Sequence, residues 1–300
     1  MYLEHYGLTR SPFEMTPDPS FLYLGETHRE GLATLVYGVR ARKGFLLLTG
    51  EVGTGKTTLL HALLSQLDAS TASAFIFNPR LEVLDFFRIL LDEYGIEEEC
   101  RSKAEFLMAL NRFLIERLER DQPTLLIVDE AQNLSPELLE EIRLLSNLET
   151  PTSKLIQIML VGQPELKEML RRPDLRQLRQ RIVLRHHLRP FNVQECEFYV
   201  QERLRLAGYT GKGIFKKRAL AEIYAVAGGV PRIVNILCDG ALLLGFAREM
   251  QTLDRDVIRE VAKDMELIDD APAIAGETSA DPRPARRRGF LGRLRKGVGS

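Results

Sequence analysis

Tryptophan is absent from this 300-residue chain, and cysteine occurs only three times, at Cys100, Cys196 and Cys238. No two of these form a C-x-x-C pair, which argues against a disulfide framework or a structural zinc site and for a reducing compartment. Long apolar runs are missing too. The longest, Leu155–Gly162 (broken at Gln157) and Ala241–Ala247, fall far short of the ~20 residues that cross a bilayer. Acids and prolines fill the N-terminal stretch where an export signal needs an apolar core, so a cytoplasmic location is expected. A charge excess is also lacking: the net charge is −1, unlike that of a globally basic nucleic-acid binder. That balance hides an asymmetry, because seven basic residues and no acidic one lie between Arg283 and Lys296.

What is present is the composition of an ordinary globular protein, 45% apolar and 28% charged. Residues 1–24, with Pro12, Phe13, Pro17, Pro19, Phe21 and Tyr23, read as an ordered, turn-rich lead-in. Over residues 25–191, apolar runs at Phe45–Thr49, Ala74–Phe77, Thr124–Val128, Leu155–Val161 and Ile182–Leu188 predict strands. Helical spacing appears ahead of the first strand at about 26–42, and between the strands at about 55–67 and after a Ser102/Glu105 capping box. A further helix starts at Ser135-Pro136, with Leu138, Ile142 and Leu145 inward. Such alternation predicts an α/β fold, a parallel sheet sandwiched by helices. After Phe191 the strands stop. Helices at about 193–207, 216–227, 231–247 and 254–265 predict an all-helical domain over 192–268. The Ala, Pro, Gly, Ser and Arg of 269–300 cannot bury a core and predict a disordered basic tail.

Two motifs carry chemistry. Gly50-Glu-Val-Gly-Thr-Gly-Lys56-Thr57 matches the Walker A loop, G-x-x-x-x-G-K-[ST], between an apolar strand and an amphipathic helix. Gly50, Gly53 and Gly55 let backbone N–H groups turn around phosphate oxygens, with Thr54 and Thr58 in the same cradle. Lys56 supplies a charge for the β- and γ-phosphates, and the Thr57 hydroxyl can ligate Mg²⁺. Leu125-Leu-Ile-Val-Asp129-Glu130 is then a Walker B strand delivering two carboxylates at its C-terminal end. Asp129 is expected to hold Mg²⁺ through water and Glu130 to polarise the attacking water. Together the two motifs predict ATP·Mg binding and hydrolysis.

Beyond these motifs the chain resembles the AAA+ superfamily, which inserts a helical lid after the fifth strand. The resemblance implies that Gln163, at the end of the fourth strand, helps place the water, and that Arg232, in the first turn of a lid helix, reaches the nucleotide. It also implies an arginine finger offered to a neighbouring subunit. Arg176, Arg179 and Arg181 are the candidates, with Arg181, beside the fifth strand, the first choice. The bland alternatives are a strand-end turn for Gln163, a solvated helix end for the arginines and a surface position for Arg232. Asn133 reads equally as a partner for Glu130 or as a helix cap. His186 and His187 are adjacent in a strand, point to opposite faces and cannot share a metal.

A narrower resemblance rests on Tyr6-Gly-Leu-x-x-x-Pro12-Phe13, Pro17-Asp-Pro19, Phe21-Leu-Tyr23, Asp129-Glu-Ala-Gln132-Asn-Leu, Val161-Gly-Gln-Pro-Glu-Leu166 and Gly229-Val-Pro-Arg-Ile-Val-Asn235. Over about residues 1–267 the chain is similar to the general secretion pathway protein A (ExeA-type) ATPases. That likeness implies a homo-oligomer serving a bacterial envelope secretion, pilus or exopolysaccharide/exosortase-linked system. The secretion prototype continues into a membrane span and a peptidoglycan-binding domain, whereas this sequence ends in Arg286-Arg-Arg-Gly-Phe290-Leu-Gly-Arg-Leu294-Arg-Lys296, so the peptidoglycan role is not carried over. The tail reads either as a peripheral contact with the inner membrane, through basic and apolar residues together, or as a solvated end. The rival function is a DNA-associated AAA+ ATPase of the transposition-helper type, although no helix-turn-helix or zinc module is evident.

Overall fold

Alternate residues of a strand point to opposite faces, and in this chain both sets are apolar. The computed structural model describes residues 2–14, 21, 23–77 and 81–268, so the expected basic tail lies outside the described residues. Five parallel strands form one sheet: β1 Phe45–Gly50, β2 Ala72–Ile76, β3 Thr124–Val128, β4 Gln157–Gly162 and β5 Ile182–Leu188, in the order β2-β3-β4-β1-β5. Phe45 and Leu47 of β1, with Leu126 and Val128 of β3, pack on one side beneath helices α4 Val83–Glu93, α5 Lys103–Glu119 and α6 Pro136–Leu145. Leu46, Leu48, Leu125 and Ile127 pack on the other, against α2 Glu26–Arg40 and α3 Lys56–Gln66. A sheet buried on both faces needs continuous apolar strands, and the central strands β1, β3 and β4 are buried at every position.

Expected and observed elements agree closely, with informative differences. β2 begins at Ala72 and ends at Ile76, leaving Phe77 outside the strand and exposed. Helix α4 was not anticipated, although Phe86, Phe87, Leu90 and Leu91 bury one face of it at helical spacing. The Ser102 hydroxyl does accept from Glu105 N–H, but the Glu105 carboxylate bonds the N–H of Arg101 at 2.7 Å. Short helices α7 Pro164–Met169 and α8 Arg176–Arg181 fill the connection from β4 to β5.

The last four helices, α9 Val193–Leu206, α10 Lys217–Ala227, α11 Pro231–Ala247 and α12 Arg255–Asp264, share a separate apolar cluster. Residues of the lead-in, including Tyr6 of α1 Tyr2–Tyr6, Phe13 and Phe21, belong to that cluster rather than to the sheet's. The chain's N-terminus is therefore packed onto its last helices. Cys196 and Cys238 sit in the same cluster, and burial pushes the Cys196 thiol up to about 12. They are core residues rather than nucleophiles.

A candidate nucleotide cleft

β1 runs into a loop that must reverse before α3 can start at Lys56. Gly53 (φ +79°) and Gly55 (φ +96°) make the reversal in the left-handed region, where a side chain is strained. Space forbids one as well: a Cβ on Gly53 would lie 2.6 Å from the Cβ of Arg232. The first N–H groups of α3 are thereby left at the mouth of a cleft of ≈ 420 Å³, within the range of small-molecule sites.

Lys56 is 7% exposed, and its Nζ donates to the carbonyls of Gly50 (2.9 Å) and Glu51 (3.1 Å). Burial lowers the ammonium's pKa, against the attraction of Glu130 and Asp129. Gly53, Gly55, Thr57 and Thr58 line the cleft with it. Thr54 sits beneath the loop, its hydroxyl donating to the Glu51 carbonyl at 2.8 Å and its own carbonyl meeting His28 Nε2 at 3.0 Å. Gly50 lies beneath as well, as the acceptor for Lys56.

Because β4 neighbours β1 and β3 lies next to β4, their C-terminal ends bring the acidic pair and Gln163 to the same edge of the sheet as the loop. Asp129 is 7% exposed; its Oδ1 accepts the N–H of Glu130 at 2.8 Å, and burial raises its carboxyl pKa. Glu130 is held at φ 50°, ψ 36°, a left-handed conformation uncommon outside glycine. There its Oε2 accepts from Nε2 of both Gln132 and Gln163, the latter at 3.1 Å. Gln132 also accepts the N–H of Gln163 at 3.1 Å, so one glutamine ties two strand ends together. Asn133, read equally as a partner for Glu130 or as a helix cap, is exposed and donates its backbone N–H to the Glu130 carbonyl, while Ser135 caps α6. The reason is the turn at Glu130, which starts a 3₁₀ turn at Ala131–Asn133 and brings Gln132 inward.

From the helical part, the N–H of Arg232, at the start of α11, donates to the carbonyl of Gly53 at 3.2 Å, and its side chain lines the cleft. Arg181 is elsewhere: it is half-buried at the end of α8 and donates to the Ser146 hydroxyl. His186 and His187 diverge as strand neighbours should, His186 toward Gly31 of α2 and His187 onto the Thr49 hydroxyl at 3.1 Å.

The far wall of the cleft was not anticipated. Phe21, Tyr23, Phe191 and Tyr199 line it, with ring centroids 5.1–5.8 Å apart from Tyr23 through Phe191 to Tyr199, and His28 lies 5.3 Å from Phe191. Arg203 and Asn235 complete it. One end of the cleft thus offers cationic and N–H donors, the other an apolar aromatic slot. That polarity suits a nucleoside polyphosphate. The aromatic content of the lead-in was the available signal.

Residues 39–170 match the AAA domain family. The chain is 45% identical over 249 residues, 83% of its length, to general secretion pathway protein A of Aeromonas hydrophila, and covers 45% of that protein. A second relative, type II secretion system protein HxcR of Pseudomonas aeruginosa, is 32% identical over 106 residues, 34% of this chain and 20% of the relative. The chain therefore spans less than half the length of these curated relatives. Among solved structures, the fold is shared with the ORC2 protein of Aeropyrum pernix, at TM-score 0.63 and 18% identity over 85% of this chain and 72% of that one. It is shared also with the Holliday junction branch migration motor RuvB of Thermotoga maritima, at TM-score 0.55 and 18% identity over 82% and 73%. The chain thus has the AAA+ P-loop fold, matches the AAA domain family over residues 39–170, and is related in sequence to general secretion pathway protein A.

Proposed function

We propose that the chain binds ATP·Mg²⁺ in this cleft, hydrolyses it as a homo-oligomer, and works at the cytoplasmic side of a bacterial envelope secretion or assembly system. The observation that carries the ATPase part is the convergence of Lys56, Glu130, Gln163 and Arg232 on one cleft from four separate segments. In this reading Gly50, Gly53, Thr54, Gly55 and Thr58 shape the phosphate cradle, Lys56 neutralises the β- and γ-phosphates, and Thr57 with Asp129 holds the metal. Among the described residues no cluster of three or more His, Cys, Asp or Glu could hold a metal, so the ion draws its remaining ligands from phosphate and water. Bound Mg²⁺ supplies charge neutralisation across the phosphate oxygens.

The desolvation of Lys56 and Asp129 supports the assignment, because each has a pKa pushed toward its neutral form until an opposite charge arrives. Water attacks the γ-phosphorus, the bond to the ADP oxygen breaks, and Glu130, steadied by Gln132 and Gln163, orients the water and takes its proton. Arg181 completes the site from a neighbouring protomer.

The envelope role rests on the likeness to general secretion pathway protein A. Among the described residues no helix is long and apolar enough to cross a membrane, and contact with the inner membrane is proposed as peripheral. Phosphate release measured against protein concentration tests the oligomeric ATPase. Specific activity should rise with concentration and vanish on chelating Mg²⁺. Flat activity across concentrations would remove the shared site.

A further inference from the structure

Along the far wall of the cleft runs a chain of three polar side chains to which the ATPase reading gives no task. Arg203, on α9, is 7% exposed and has no carboxylate partner among the described residues. Its Nε donates to the Pro12 carbonyl, and its Nη1 to the Tyr199 hydroxyl at 2.8 Å. Tyr199 in turn lies 2.8 Å from Oδ1 of Asn235.

The direction of this chain follows from chemistry. A guanidinium has donors only, so the Tyr199 oxygen accepts from Arg203 and its one proton goes to Asn235. Asn235 must therefore present its carbonyl oxygen to Tyr199. The reversed amide would place an NH₂ against a hydroxyl whose proton had no acceptor. What remains at Asn235 is the NH₂ group, which has no partner among the described residues, on a side chain that lines the cleft. The buried cation at the head of the chain polarises every bond along it.

Position selects the part of the ligand. Asn235 follows Arg232 by three residues on α11, so the two share a helix face. Arg232 packs on the phosphate loop, whereas Asn235 bonds Tyr199 of the aromatic wall. We propose that Asn235 donates from Nδ2 to an acceptor on the nucleoside part of the bound nucleotide, and that Tyr199 and Arg203 are positioning residues that fix the amide in that orientation. This rests on the nucleotide-binding reading above.

A double-mutant cycle on ATP affinity, measured by equilibrium titration of the full chain, tests it. Asn235→Ala should weaken ATP binding about five- to tenfold, the scale of one lost hydrogen bond in a partly desolvated site. Tyr199→Phe keeps the ring but frees the amide, and should weaken binding by a smaller factor. In the Asn235→Ala background, Tyr199→Phe should cost nothing further, since Tyr199 acts only through Asn235. Asn235→Asp, which keeps the shape but lacks the donor, should match or exceed the Ala loss and serves if the Ala variant does not fold. Unchanged affinity in the Asn235 variants would overturn the proposal. So would losses that simply add in the double variant, as expected of packing alone. Lys56→Ala separates the two readings. If it loses ATP while the Asn235 variants do not, this inference alone fails; if it retains ATP, the cleft assignment fails with it.

Discussion

An Arg181→Ala protein should bind ATP with unchanged affinity and hydrolyse it about 10³-fold or more slowly, the scale of a trans arginine in other nucleotide hydrolases. Arg181 lies outside the cleft lining, on the short helix that leads into β5, with the Ser146 hydroxyl as its hydrogen-bond partner. Loss of the side chain therefore touches none of the groups that hold nucleotide within the same chain. In a shared site its guanidinium meets charge developing on the neighbour's γ-phosphate, an interaction realised in the transition state rather than in the bound ground state. Mixing supplies the decisive comparison. Arg181→Ala and Glu130→Gln proteins, each poorly active, should together recover measurable turnover, because mixed interfaces pair an intact Glu130 with an intact Arg181. Full activity of the Arg181→Ala protein would remove the finger from this position, and no recovery on mixing would place the complete site within one chain.

Glu130→Gln should retain ATP and lose turnover by a factor of about 10² or more, as for loss of a positioned base. The substitution keeps size and an amide oxygen able to accept from Gln132 and Gln163, so the strand ends stay tied. What disappears is the carboxylate to which the proposed mechanism gives the task of orienting the water and accepting its proton. Single-turnover hydrolysis with bound ATP quantified separately is the measurement. Turnover within a factor of two of wild type, with ATP still bound, would move the general base elsewhere.

Much of this site was legible because its chemistry fixes spacing locally. The glycines of the phosphate loop are set by backbone conformation and Lys56 by its position at the start of a helix, so one short segment carries the whole argument. Buried parallel strands likewise announce themselves as apolar runs, and β5 lies at the expected 182–188. Other parts depend on information that no short segment holds. Gln132 rather than Asn133 meets Glu130 because Glu130 adopts a left-handed turn, a conformation that residue type alone does not signal. The aromatic slot joins Tyr23 to Phe191 and Tyr199 across most of the chain's length, a pairing set by tertiary packing of the lead-in on α9. Helix α4 had the right periodicity, but it begins only a few residues after β2, and the apolar run of that strand obscured the change of period.

The central claim is that nucleotide is held by the phosphate loop, and ATP affinity of a Lys56→Ala protein tests it most directly. Lys56 is the buried cation at the loop end of the cleft, its Nζ donating to the Gly50 and Glu51 carbonyls. Removing it should abolish ATP binding or weaken it about 10²-fold or more, the cost of leaving buried phosphate charge without its principal partner, in a protein whose circular dichroism is unchanged. Near-native ATP affinity in that folded protein would contradict the account.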